Sequence, residues 1–246
     1  MLRKTMEQQQ MTNLDQELSR LVSEYRRRDS GNIPADRYSP FNEAALLHSQ
    51  SLECNLLALL KRHGFTDLRE KKILDVGCGN GGNLLHFLGY GAQSTNLFGI
   101  DLMAHRIDQA QQQHPAISWQ VGSAHQLPYQ DAAFDLVMSF VVFSSILSES
   151  LRQQIASDMW RVLKPGGLIL LYDFTYSNPR NPAVRGISHK QILTLFEQPE
   201  VKFDFRRITL APPIARIVAP RAYWLAFMLE YLKILNTHTI GIISLD

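Results

Sequence analysis

"ILDVGCGNGG", residues 73–82, places glycines at 77, 79, 81 and 82 directly behind an apolar run. Residues 72–76 read as a buried strand, because Ile73, Leu74 and Val76 are apolar and glycine ends the run. The following "NLLHFLGY" (83–90) carries Leu84, Leu85, Phe87 and Leu88 at helical spacing. Strand, glycine turn and helix form a geometry in which bare backbone can approach a ligand closely. The spacing Gly77-x-Gly79-x-x-Gly82 satisfies the dinucleotide fingerprint, so an NAD-type ligand is the first to weigh.

Asp75 argues against that ligand. A pyrophosphate at a helix N-terminus wants positive potential and bare amides, and a neighbouring carboxylate repels it. A ligand with an ammonium and a sulfonium but no phosphate is attracted instead, and S-adenosylmethionine is such a ligand. A structural Asp that caps the turn is the competing reading. The rest of the chain has to decide between them.

Composition narrows the classes. The chain has 246 residues, is 45% hydrophobic and carries a net charge of +2, enough for a sizeable core and too mild for a nucleic-acid surface. Cys54 and Cys78 show no metal-ligand spacing and no disulfide framework, which fits a reducing, cytoplasmic setting. The N-terminus lacks the apolar core of a signal peptide. The longest apolar block, "AYWLAFMLEYLKIL" (222–235), is broken by Glu230 and Lys233 and is too short to span a bilayer. Trp224, Phe227, Met228, Tyr231 and Leu235 fall on one helical stripe, and a packed helix is preferred over a membrane-surface contact.

Residues 1–13 are polar and Gln-rich, and are expected to form a disordered tail. Leu14, Leu18, Leu21, Val22 and Tyr25 recur at helical spacing up to "RRR" (26–28), followed by a loop at 29–42 and a helix at 43–63 that Gly64 stops. Strands are expected at 72–76, 96–100, 117–121, 134–140, 167–173, 204–210 and 239–244. Helices are expected at 82–89, 103–113, 149–162, 188–197 and 221–235. Near-continuous apolar strands linked by helices predict an α/β, doubly wound, mostly parallel sheet covered on both faces. The expected division is a tail and helical cap at 1–64 and a ligand-binding domain at 65–246.

Four further features follow the glycine loop in order. "LFGIDL" (97–102) is a strand ending in Asp101, where an acidic side chain reaches ribose hydroxyls; a helix N-cap is compatible with the same position. "VGSAHQLPYQDAAFDLV" (121–137) gives strand, small-residue turn and polar loop, with Gly122 and Ser123 able to approach an adenine edge. The strand 134–140 ends at Ser139-Phe140, on the carboxyl edge where ligands sit. "RVLKPGGLILLYDF" (161–174) is helix end, Pro-Gly-Gly turn and strand.

With these motifs the chain resembles the class I S-adenosylmethionine-dependent methyltransferase family (the small-molecule, type 11-like branch) over about residues 65–175. The resemblance implies a Rossmann-like sheet of seven strands, the last antiparallel and inserted beside the fifth, with the N-terminal helices as a cap. It implies that Gly77, Cys78 and Gly79 wrap the methionine part of the cofactor with Asp75 near its ammonium. Asp101 would bind the ribose, Leu102 would pack on the adenine, Ser123 and Ala124 would line its edge, and Phe140 would flank the cofactor. Many relatives carry Asp where this chain has Ser123, which weakens the adenine contact there. Tyr38, beside Arg37 in the loop between the first two helices, is a candidate cover for the methionine end; an exposed loop tyrosine without a role is the alternative.

Methyl transfer from a sulfonium is an in-line displacement, so positioning supplies much of the rate and a base is needed only for a hydroxyl or carbon acid. The base candidates are His125, Tyr172, Asp173 and His189, and no pair among them has a spacing that compels a mechanism. The loop "YSNPRNPAVRGISHK" (176–190) follows the fifth strand and carries Arg180, Arg185, His189 and Lys190. It reads as an acceptor-binding lid for an anionic or hydroxyl-rich substrate, with a solvated basic loop as the alternative. No cluster has metal spacing, so no metal is expected. The leading expectation is methyl transfer to oxygen of a small molecule or glycan, with S-adenosylhomocysteine as product. C-methylation of a quinone-like or lipid-tailed ring, its tail guided by 221–235, and a non-catalytic S-adenosylmethionine binder are the alternatives. No nucleic-acid partner is expected, because the fourth strand ends in "SFVV" rather than an "NPPY"-type clamp.

Overall fold

The computed structural model describes residues 2–31, 36–178 and 181–245, with side chains described from residue 13 onward. Seven strands form one sheet: β1 (Ile73–Val76), β2 (Leu97–Asp101), β3 (Ser118–Val121), β4 (Phe134–Phe140), β5 (Leu163–Phe174), β6 (Val201–Leu210) and β7 (Asn236–Leu245). Their order is β3-β2-β1-β4-β5-β7-β6. Parallel pairing joins β1 to β2 and β4, β2 to β3 and β4 to β5, while β7 runs antiparallel between β5 and β6. This is the doubly wound sheet expected from the strand–helix alternation.

The helices are α1 (Leu2–Asp29), α2 (Glu43–Arg62), α3 (Gly82–Gly89), α4 (Ala104–Gln113), α5 (Glu149–Val162), α6 (His189–Leu195), α7 (Pro212–Val218) and α8 (Tyr223–Tyr231). Local chemistry explains their ends. Asn42 caps α2 by accepting from the Ala44 and Ala45 N–H groups at 3.0 and 3.2 Å. Gly64 closes the same helix with φ +77°, a left-handed value that suits glycine. Ser188 and Gln191 form a reciprocal capping box on α6.

Because strand side chains alternate between faces, β4 and β5 feed two cores. Val137, Ile169 and Leu171 pack with α5 and α6 on one face. Leu136, Met138, Phe140, Leu170 and Tyr172 pack with α2 and α3 on the other.

Three expectations need correction. The segment 2–13 is helical and continues into α1. Missing periodicity removed the sign of a buried face, but Gln, Glu, Met, Leu and Lys are good helix formers whichever way they point. The Lys164–Gly167 turn lies within β5 as an irregular start to the strand, with a register shift opposite Phe134 and Leu136. The segment 221–235 is not one packed helix. Its helix is α8, a nine-residue element, and the stripe points outward: Trp224 is 70% and Tyr231 73% exposed, whereas Ala226 and Glu230 are buried.

Candidate functional site

Two cavities adjoin at the carboxyl edge of the sheet. The smaller, about 240 Å³, is walled by Gly77, Asp101, Ser123 and Phe140 from the sheet side and by Leu21 and Arg28 of α1. The larger, about 660 Å³, is walled by His48 of α2, Tyr172 of β5, His238 of β7 and the Arg37–Tyr38 loop. Arg28, Phe140, Val141 and Ser145 belong to both.

The glycine loop is pinned to β2. The Gly77 and Cys78 N–H groups donate to the Ile100 carbonyl at 2.8 and 3.0 Å. Asp101 then accepts from the Gly79 N–H and the Met103 N–H, both at 2.8 Å, so one carboxylate fixes the loop and the start of α4. Gly77 has φ +77°, and a Cβ built on it would stand 2.4 Å from a Val142 methyl. Backbone is therefore the only surface this position can offer a ligand.

Asp75 is the electrostatic anomaly. It is fully buried in mid-sheet, opposite Gly99 of β2 and Met138 of β4. Neither carboxylate oxygen has a hydrogen-bond partner among the described residues. Burial, and then the nearby Asp101 charge, push its pKa up to about 8. An unpartnered buried carboxyl two residues before a cavity wall fits a ligand that brings an ammonium, and does not fit a pyrophosphate.

At the junction of the cavities Val141 has φ +59°, a rare conformation for a β-branched residue. Its N–H donates to the Tyr172 carbonyl at 2.7 Å. Such strain persists where surrounding contacts over-determine the backbone, and here it marks the point where contents of the two cavities would meet.

Helix α1 is fastened across the smaller cavity at two places. Glu17 accepts from the Leu147 N–H at 2.6 Å, and its partner Arg20 donates to the Ser145 carbonyl at 2.7 Å. Nine to twelve residues on, Asp29 accepts from Arg106 at 2.6 Å and pairs with His105 at 2.8 Å.

The residues singled out from sequence divide clearly. Gly77, Asp101, Leu102, Ser123, Ala124 and Phe140 converge on the smaller cavity. Cys78 turns into the protein against Gly99, and burial raises its thiol far above the ordinary range. Gly79 faces open space, with only the Arg106 guanidinium within 4 Å of a built Cβ. Tyr38 is largely exposed and borders the larger cavity, not the smaller one.

Among the base candidates, Tyr172 lines the larger cavity. Its hydroxyl lies 2.8 Å from Thr209 Oγ1 and 3.2 Å from His48 Nε2, and burial raises its pKa. Asp173 lines neither cavity; it accepts from the Ser144 and Phe174 N–H groups, and burial pushes its pKa up to about 6. His125 bonds Ser123 Oγ at 2.6 Å and borders neither cavity. His189 is taken up by Thr239 at 2.8 Å and stacks on Phe205, away from both.

The loop 176–190 reaches the larger cavity, but through Tyr176, Asn178, Asn181 and Val184. Arg185 is exposed and, among the described residues, hydrogen-bonds through its backbone, to Ser144 and Arg152; Arg180 lies outside the described residues. The cations that border the cavity are Arg27, Arg28 and Arg37 instead.

His48, His238 and Arg28 escaped the sequence reading. The rings of Tyr172 and His238 stack at 5.0 Å, and His48 meets both edge-on at 5.9 Å. Burial lowers the pKa of His48, and burial with His48 nearby lowers that of His238 to about 3, so both imidazoles are neutral. These residues come from α2, β5 and β7, and no local motif links them. Only the strand insertion brings β7 beside β5.

Comparison with known proteins agrees with this geometry. Residues 73–167 match a family model described as a methyltransferase domain. The chain is 30% identical over 152 residues to norajmaline N-methyltransferase of Rauvolfia serpentina, covering 57% of this chain and 50% of that protein. It is 39% identical over 102 residues to malonyl-[acyl-carrier protein] O-methyltransferase of Erwinia billingiae, covering 41% of this chain and 38% of that protein. The chain thus spans half or less of the length of these curated relatives. In fold it resembles geranyl diphosphate C-methyltransferase of Streptomyces coelicolor A3(2), solved with Mg²⁺, geranyl diphosphate and S-adenosyl-L-homocysteine. That match has a TM-score of 0.60 and 16% identity, and covers 87% of this chain and 88% of the neighbour.

Proposed function

We infer, from the premise that this chain belongs to the class I S-adenosylmethionine-dependent methyltransferase family, that it transfers a methyl group from S-adenosylmethionine to oxygen of a small-molecule acceptor. The observation that carries this reading is the pair of cavities joined at Phe140 and Val141. When bound, S-adenosylmethionine supplies a methyl group activated by a sulfonium. The smaller cavity holds the cofactor, with Asp101 toward the ribose, Ser123 and Ala124 at the adenine edge, and Asp75 answering the ammonium. Helix α1 acts as its cap, and Arg28, whose Nη2 is buried without a partner among the described residues, suits the methionine carboxylate.

The larger cavity holds the acceptor, and His48 is its proton acceptor. Tyr172 keeps its proton because burial raises its pKa, and it donates to Thr209 in the shorter of its two contacts. His48 Nε2–H then donates to the Tyr172 oxygen, which leaves Nδ1 with a free lone pair. Tyr172 is thus a positioning residue, and proximity of acceptor to methyl supplies the remainder of the rate.

Two measurements test this reading. Titration calorimetry is expected to register S-adenosylmethionine at micromolar strength and no NAD, with Asp101→Ala weakening binding by about 1–3 kcal/mol. Tight NAD binding, or an indifferent variant, contradicts the cofactor assignment. The His48→Gln variant is expected to lower kcat by roughly 10²-fold, in the range of lost general-base catalysis, with cofactor affinity unchanged. In the wild type kcat rises with pH through the His48 pKa, which burial holds below the ordinary 6.5. The variant loses that acid limb. If its pH profile keeps the limb, the base lies elsewhere.

A further inference from the structure

Helix α8 sits in the fold the opposite way round from an ordinary amphipathic helix. Trp224, Phe227, Met228 and Tyr231 recur at the spacing of one helical face and are turned to solvent, with Phe227 58% exposed. Ile217 of α7 and Ile234, just past α8, extend the same apolar surface at 62% and 77% exposure.

The orientation is pinned from the buried side. Ala226 is fully buried in the cluster formed by Leu47, Leu210, Ala215 and Ala219. Glu230 points inward, where one carboxylate oxygen accepts from the Thr209 N–H at 2.9 Å and from the Ser51 hydroxyl. The Glu230 carbonyl also accepts from Asn236 Nδ2 at 3.0 Å. Rotating α8 to hide its aromatic stripe would break these bonds, so the exposed stripe is a specified feature of the fold.

The charges of this segment have one sign outside. From 211 to 236 the ionisable Lys, Arg, Asp and Glu residues are Arg216, Arg221, Glu230 and Lys233, and the acid is the buried one. Arg216 and Arg221 bond only the carbonyls of Pro212 and Ile217, and none of the three cations pairs with a carboxylate among the described residues.

We propose that the α7–α8 face docks on an anionic membrane surface, burying its aromatic and aliphatic side chains at the headgroup boundary with Arg216, Arg221 and Lys233 against lipid phosphates. Tryptophan and tyrosine with flanking cations suit that boundary, where one end of the side chain is apolar and the other wet. No helix among the described residues is long and apolar enough to cross a membrane, so the contact is interfacial. A second copy of the chain fits less well. Two-fold pairing would set each cationic patch against itself, with no exposed acid between residues 211 and 236 to compensate.

The test is flotation of the whole chain with vesicles of phosphatidylcholine alone and of phosphatidylcholine with phosphatidylglycerol. Binding is expected only with the anionic lipid and is expected to fall as salt rises. The pairs Trp224→Ser with Phe227→Ser, and Arg216→Glu with Arg221→Glu, should each weaken binding by about tenfold or more. Both are expected to keep the wild-type melting temperature, since these side chains are exposed. The proposal is overturned if the chain stays with buffer in the presence of phosphatidylglycerol vesicles, or if charge reversal leaves binding intact. It is also overturned if light scattering gives a dimer that the Trp224 and Phe227 substitutions return to monomer. None of these readouts depends on methyl transfer, so the surface is tested apart from the catalytic reading.

Discussion

Asp75→Asn is expected to make the protein more stable and its cofactor binding weaker. In the free protein the Asp75 carboxyl has a pKa of about 8 because it is buried beside a second acid, against an ordinary value of 3.8. A carboxyl whose folded pKa lies above its unfolded one holds its proton more tightly in the folded state. Its folding penalty is therefore absent at low pH, grows as pH rises from about 4, and levels off above about 8. At about 1.4 kcal/mol per pH unit, that interval caps the gain of the Asn variant at ~6 kcal/mol above pH 8. Urea unfolding across this range should show a falling wild-type stability and a variant without that slope.

The functional arm has the opposite sign. An ammonium beside Asp75 favours the ionised carboxylate, so S-adenosylmethionine binding near pH 7 should release a proton, visible as a heat that depends on the buffer. Asp75→Asn should abolish the release and weaken binding by about 2–3 kcal/mol, the worth of a charge-assisted hydrogen bond. A variant that binds normally with no change in proton count would remove Asp75 from the cofactor site.

Gly77→Ala is expected to damage both folding and binding, although it adds one methyl. That methyl would lie 2.4 Å from a Val142 side-chain carbon, at a residue with φ +77°. Left-handed strain and overpacking together predict a loss of roughly 2–5 kcal/mol in stability. Relieving the clash by moving the loop would break the bond from Gly77 N–H to Ile100, and cofactor affinity should fall more than about 100-fold as the backbone cradle shifts. Gly79→Ala is the control: φ is +57°, but nothing lies closer to its Cβ than 3.8 Å, so only the backbone strain of about 1–2 kcal/mol remains. Equal behaviour of the two variants would show that packing at Gly77 is not what constrains the loop.

The contrast between these two glycines also marks how far sequence reading reached. The strand at 134–140 and the helices at 82–89 and 149–162 carry their own periodicity and stops, and they form with those bounds. The smaller cavity was legible for a related reason: Gly77, Asp101, Ser123 and Phe140 each end a strand or follow one, and a parallel sheet aligns strand ends. The larger cavity was not. His48 and His238 meet across 190 positions because β7 inserts beside β5, a contact that no local pattern encodes. Charge singles out Arg185 in the loop 176–190, yet its neutral neighbours are the ones that reach the cavity. Helix α8 misled for a deeper reason. Periodicity identifies an apolar face without saying which way it turns, and the Glu230 contacts with Thr209 and Ser51 decide that from outside the helix.

The strand insertion has a consequence for how such a protein can change over generations. The family match stops at residue 167, inside β5. Gly77, Asp101, Ser123 and Phe140 fall within it, whereas His48, Tyr172 and His238 fall outside on both flanks. The matched segment thus supplies the strand-end wall of the smaller cavity, while α1 and the aromatic cluster of the larger cavity come from the flanks. Because β7 docks between two existing strands, its pairing with β5 and β6 does not disturb β1 to β4. Substitutions in the flanking segments can thus reshape the larger cavity without moving the strands that carry the glycine loop.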